Sequence, residues 1–108
     1  MAKWDDFVKA VRAGVSSLAT GALKNYLTQL QTDAEDYLKQ SEDQLKRWTQ
    51  ALAKGYLSKE EFDSLVMGRA DLAKLKALTD AGIAMSTLKK LRNDLIDLVI
   101  DKAFAVFL

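Results

Sequence analysis

The chain has 108 residues, nearly half of them apolar, and its 16 basic and 15 acidic side chains leave a formal net charge of +1. That is the length of a single domain, 1–108, with enough apolar material to bury a modest core. It contains no cysteine and no histidine. Their absence excludes disulfide frameworks, thiol nucleophiles and thiolate metal sites, and removes the commonest general base and transition-metal ligand. Near-neutrality leaves no global field to draw the chain onto nucleic acid, which is not expected as a partner.

Proline is absent as well, and no run alternates in the manner of a strand, so the fold class expected is all-α. The first segment, MAKWDDFVKAVRAG, carries charge in every turn and lacks the apolar run and small-residue cleavage site of a signal peptide. A cytoplasmic location is the expectation. Apolar residues then recur every three or four positions from Trp4 through Val11, Leu18, Leu30, Leu38 and Leu45 to Leu52, which predicts a helical arm over residues ~3–54. Glu35 with Lys39, Glu42 with Lys46, and Asp43 with Arg47 repeat the acid-to-base order, four residues apart, of an exposed helix face.

At mid-chain stands AKGYLSKEEFDSL, Ala53 to Leu65. With Gly55 at the glycine of an EF-hand loop, Leu57, Ser58 and Glu61 fall on the loop's later positions, but its earlier ligand positions hold Gln50, Leu52 and Lys54. A leucine and a lysine cannot replace carboxylates around calcium. The stretch reads fully as a corner. Gly55 suits the left-handed residue after a helix, and Lys54 places a cation at that helix's negative end. Ser58 is then the N-cap of the next helix, Glu61 completes a capping box, and Leu57 can staple onto Phe62. The pattern resembles the short helical-hairpin modules at the C-termini of many bacterial proteins over residues 50–75.

The second arm, ~58–107, carries its stripe from Phe62 through Leu78, Met85, Leu91 and Val99 to Val106. The arms can break near 20–21 and 79–82, where Gly21 and Gly82 stand and where Thr79 or Asp80 can serve as N-cap. Unbroken, each is about 75 Å long, and the chain is a long antiparallel hairpin. Broken, it is a compact monomeric four-helix bundle whose second helix is the longest. The unbroken phase of both stripes favours the hairpin. Further apolar residues beside the stripes widen them beyond what one partner helix covers. Trp4, Phe7, Val11, Ile96, Ile100, Phe104 and Phe107 are therefore the candidate interaction surface, and a two-fold homodimer with a four-helix core is the expectation.

No residue qualifies as catalytic. Glu60 and Glu61 belong to a helix start, with no nucleophile beside them. Asp94, Asp97 and Asp101 share one helix face, which reads as solvated rather than metal-binding, and no metal or other cofactor is expected. Lys89, Lys90 and Arg92, preceded by Ser86 and Thr87, form the densest basic cluster and the candidate point of contact with phosphate. The function expected is a non-enzymatic helical interaction module, a scaffold, adaptor or assembly subunit, its protein partner unidentified. The alternative is a protein of the membrane surface. Its apolar, lysine-flanked helices ending in FAVFL broadly resemble apolipoprotein or phasin helices. The final run, LIDLVIDKAFAVFL, has 14 residues and three charges, too short and too polar to span a bilayer.

The hairpin fixes a register in which facing residues have numbers summing to about 112, given the equal rise of both arms. Trp48 then meets Phe62 and Leu65, Tyr26 lies near Met85, Trp4 reaches Phe104 or Phe107, and Arg12 and Lys9 approach Asp101. If Trp4 packs beside the central corner instead, the arms have doubled back.

Overall fold

The computed structural model describes residues 2–108. Six α-helices follow one another: α1 (Ala2–Val15), α2 (Leu27–Gln40), α3 (Glu42–Ala53), α4 (Lys59–Met67), α5 (Lys76–Asp80) and α6 (Met85–Phe107). Tighter 3-10 turns occupy Ser16–Leu18, Gly21–Tyr26 and Ala70–Leu72. No strand occurs among the described residues. The two continuous arms expected from the stripes are not present. The first breaks over residues 16–26 and the second over 68–84, wider than the glycines alone marked out.

Each break has a backbone cause. Thr20 is extended and Gly21 sits at φ +59°, so the helical path is left and re-entered at a residue without a Cβ. In the second arm Gly82, at φ +89°, is the left-handed residue after α5. Its N–H donates to the Thr79 carbonyl at 3.0 Å, and the Ile83 N–H to the Leu78 carbonyl at 3.2 Å. That pair of bonds is a Schellman ending. Gly82 therefore closes a helix, and neither Thr79 nor Asp80 starts one; the N-cap of α6 is Ala84.

The corner has the form expected. Gly55 lies at φ +80°. Its N–H donates to the Leu52 carbonyl at 3.2 Å and the Tyr56 N–H to the Ala51 carbonyl at 2.8 Å, a second Schellman ending, on α3. Ser58 then caps α4: its hydroxyl accepts from the Glu61 N–H at 3.1 Å, while the Glu61 carboxylate accepts from the Ser58 N–H at 2.9 Å.

Two sets of contacts define the topology. Phe7 packs against Phe107 with tilted rings 5.8 Å apart, Gly14 lies against Leu98, Asp33 meets Ala77 and Leu78, and Gln44 meets Arg69. These pairs join the two halves of the chain near the hairpin register. A second set folds each half onto itself. Arg12 on α1 pairs with Glu35 on α2 at 2.7 Å rather than with Asp101, Lys46 on α3 lies 5.4 Å above the Trp4 ring, and Phe62 on α4 packs 5.7 Å from Phe104 on α6. The chain is thus doubled twice, and its extents are 42 × 25 × 21 Å. In effect four helical legs result, of which the second, α2 with α3 bent at Ser41, spans residues 27–53.

Doubling back covers the widened stripes with the chain's own helices. Phe7, Val11, Val15, Leu30, Tyr37, Leu45, Phe62, Leu78, Leu95, Ile96 and Val99 are all buried in one core. Gly14 permits the close approach of α1 to α6, since a Cβ there would lie 2.6 Å from a Leu98 methyl. Not every stripe residue turns inward: Met85, placed beside Tyr26 by the hairpin register, is 69% exposed.

The least regular segment is secured from a distance. Leu75, before α5, holds the left-handed φ of +50°, uncommon for a residue with a branched side chain, and no local side chain caps this short helix. Asp33 of α2 does so instead. Buried at 3% exposure, its two carboxylate oxygens accept from the Ala77 and Leu78 N–H groups at 2.9 and 3.0 Å. Replacing Asp33 by Ala strands two donors beside the core and is expected to lower unfolding free energy by about 3 kcal/mol. Ser58→Ala, at an exposed cap, is expected to lower it by about 1 kcal/mol. Urea unfolding of both variants tests the order; a smaller loss for Asp33→Ala removes the distant cap from its place in the fold.

Tyr37, facing the core from α2, supplies a pH dependence. Burial raises its phenol from the ordinary 10.0 to about 12, and the nearby Ser41 hydroxyl partly opposes the rise, its oxygen meeting no partner at full hydrogen-bond geometry. Between those values the unfolded chain has lost the phenolic proton and the folded chain has kept it. Stability present below pH 10 is therefore lost as pH rises to about 12, by at most about 3 kcal/mol. The difference in unfolding free energy between the wild type and Tyr37→Phe, measured across this range, is expected to show the loss.

Candidate functional site

Of the seven candidate surface residues, Phe7, Val11, Ile96 and Ile100 lie inside the core, at no more than 5% exposure. The folded chain presents none of these four to a partner. Their helices, α1 and α6, pack on each other, so the apolar width assigned to self-association is consumed within one chain. Trp4, Phe104 and Phe107 stay half-buried at its edge.

Trp4 and Phe107 floor a groove of about 410 Å³ at the end where α1 begins and α3 and α6 finish. Its remaining lining includes Thr49, Gln50, Ala53 and three lysines, Lys3, Lys46 and Lys54, with no carboxylate. Each element contributes for a local reason. The first turn of α1 brings Lys3 and Trp4, the last two turns of α3 bring Lys46 to Ala53, and the Schellman ending sets Lys54 at the lip. Thr49 is 1% exposed, and its hydroxyl is already donated to the Leu45 carbonyl at 2.7 Å, so it offers the groove only an oxygen lone pair. Lys46 spans Trp4 at 5.4 Å and Glu42 at 3.6 Å. The groove is an apolar floor under a cationic rim.

On the far side of the corner, α4 presents the opposite pattern. Leu57 and the exposed Leu65 form a shallow hollow with Glu60, Glu61 and Ser64, and no lysine or arginine lines it. Tyr56, next to Leu57, is 77% exposed. Lys59 turns away, over the Phe104 ring at 5.6 Å.

Of the remaining predicted features, Asp94 pairs with Lys90 at 4.0 Å, and no group of three or more carboxylates among the described residues is arranged to hold a metal ion. Of the three ion pairs expected along the first arm, Glu42 with Lys46 forms, whereas Glu35 turns to Arg12. No helix among the described residues is long and apolar enough to cross a membrane. Lys3, Lys46, Gln50 and Ala53 were not singled out from the sequence as site residues. Their only signal was position on a polar face, and nothing in their spacing places residues 3, 46–54 and 107 together.

The fold and grooves thus define an all-helical protein built from four legs around one core. Comparison with family models, with curated proteins and with solved structures finds no match for the chain.

The contact between Lys46 and Trp4 can be isolated. Lys46→Met keeps most of the stem and removes the charge, and is expected to shift Trp4 fluorescence while lowering stability by no more than about 1 kcal/mol. An unchanged spectrum, read in a Trp48→Phe background, shows the lysine is not held over the ring.

Proposed function

We propose that the chain is a non-enzymatic helical interaction module whose partner is a second copy of itself. The observation that carries this reading is the pair of complementary surfaces flanking the corner. Trp4, Phe107 and three lysines lie on one side, and Leu57, Leu65, Glu60 and Glu61 on the other. A two-fold axis beside Gly55 brings each surface of one copy against the other surface of its mate, so both contacts are made twice. Apolar atoms supply contact area, and the opposed charges set orientation and exclude mismatched pairings. The homodimer expected from the widened stripes is thus carried by different residues, since the stripes are spent on the core.

Scaffolding or adaptor duty follows from such a surface more readily than chemistry does. The polar groups at the groove are lysines, an amide and a hydroxyl that is already donated, with no carboxylate among them. For the membrane-surface alternative, the apolar run Leu95, Ile96, Val99, Ile100 and Ala103 is buried between helices, so the bundle must open before that face can meet lipid.

Sedimentation velocity at micromolar and higher concentrations tests the proposal. The wild type is expected to dimerise, less strongly as salt is raised. Lys46→Glu and Glu60→Lys are each expected to be monomeric alone and to form a heterodimer when mixed. A wild type that is strictly monomeric, or a mixture that fails to associate while both variants keep their helical circular dichroism, overturns it.

A further inference from the structure

A smaller hollow, of about 170 Å³, lies between α5 and the start of α6, away from the corner. Lys74, Lys89 and Arg92 line it together with Leu75, Thr79 and Met85, and no carboxylate does. The cations there are unspent. Lys90, next in sequence, pairs with Asp94, but among the described residues none of Lys74, Lys89 and Arg92 has an ion-pair partner. Arg92 goes further, since its Nε–H is buried without any hydrogen-bond partner. An orphaned guanidinium donor is costly in a native structure, and with Nε sealed it is the remainder of the guanidinium that is open to the hollow. A third feature has the same sign. Helix α6 runs 23 residues from Met85, its N-cap Ala84 has no side chain able to cap, and its first N–H groups lie at the positive end of the helix dipole. Thr79 does not compete as a donor, because its hydroxyl is given to the Leu75 carbonyl at 2.9 Å.

We propose that this hollow binds a compact tetrahedral oxyanion, a phosphate or the head group of a phosphomonoester. The volume admits the anion and leaves the rest of such a molecule outside. The Arg92 guanidinium supplies a directional charge-assisted bond through the amino groups beyond its sealed Nε, Lys74 and Lys89 supply point charges, and the opening turn of α6 supplies further donors. The basic cluster visible in the sequence thus divides: Lys90 is an ordinary helix-surface pair, while Lys89 and Arg92 face a shared hollow with Lys74, which lies on another segment.

Titration of the full chain with inorganic phosphate at constant ionic strength, followed by amide and arginine Nε nuclear magnetic resonance, tests this. Shifts are expected at Met85, Ser86, Thr87 and Arg92 Nε. Arg92→Met is expected to weaken phosphate binding by about tenfold, one charge-assisted bond, and Lys90→Met to leave it unchanged. Arg92→Met is also expected to raise the melting temperature of the phosphate-free protein by removing the orphaned donor. That response separates loss of a binding group from damage to the fold. Shifts reproduced by chloride, shifts spread evenly over all lysines, or an Arg92→Met protein with undiminished affinity overturn the proposal. Flotation with phosphatidic acid vesicles against phosphatidylcholine vesicles then assigns the source: phosphate-competed flotation points to a lipid head group, and phosphate binding without flotation to a free phosphoester.

Discussion

Two hydrogen bonds accepted by one buried carboxylate hold the least regular segment of the chain in place. Asp33 reaches from α2 to the N–H groups of Ala77 and Leu78. A helix of five residues has almost no stability of its own, and α5 is preceded by a leucine in a strained left-handed conformation rather than by a capping side chain. With the carboxylate present, the turn is fixed, Leu78 is driven fully into the core, and the Schellman ending at Gly82 can aim the chain into α6. The approach to the longest helix thus depends on a contact between residues 44 and 45 positions apart in sequence.

That direction decides which surfaces exist. Because α6 returns along α1, the apolar faces of both are used against each other, and the aromatic residues at their ends are left half-covered over the finish of α3. The same return leaves the outer face of α4 without a covering helix, so Leu65 stays exposed beside Glu60 and Glu61. A nearly neutral chain can in this way carry strongly unlike patches. Charge bears on association through where it is placed, and only weakly through its sum.

The devices legible in the sequence were those that close within one helical turn. Gly55, Ser58 and Glu61 act on neighbours three positions away, and each has the geometry its residue type required. The candidate surface was less legible. Phe7, Val11, Ile96 and Ile100 were visible as apolar residues that needed covering, but periodicity says which face is buried and not against which segment. Asp33 gave no sign at all, because a lone aspartate in a helix reads as solvated until the chain that passes over it is known.

By itself the sequence determined the helical class, the central corner and most of the apolar residues that leave water, because propensity, capping and hydrophobic period are local properties. Only the tertiary structure decided that two arms become four legs. The choice turned on whether Gly21 and Gly82, each a penalty of about 1 kcal/mol in a helix, were outweighed by packing along a seam. A long hairpin leaves the flanks of each widened stripe in water, whereas a chain doubled twice covers most of them. That gain is summed over many distant contacts, and no short stretch of residues reports it.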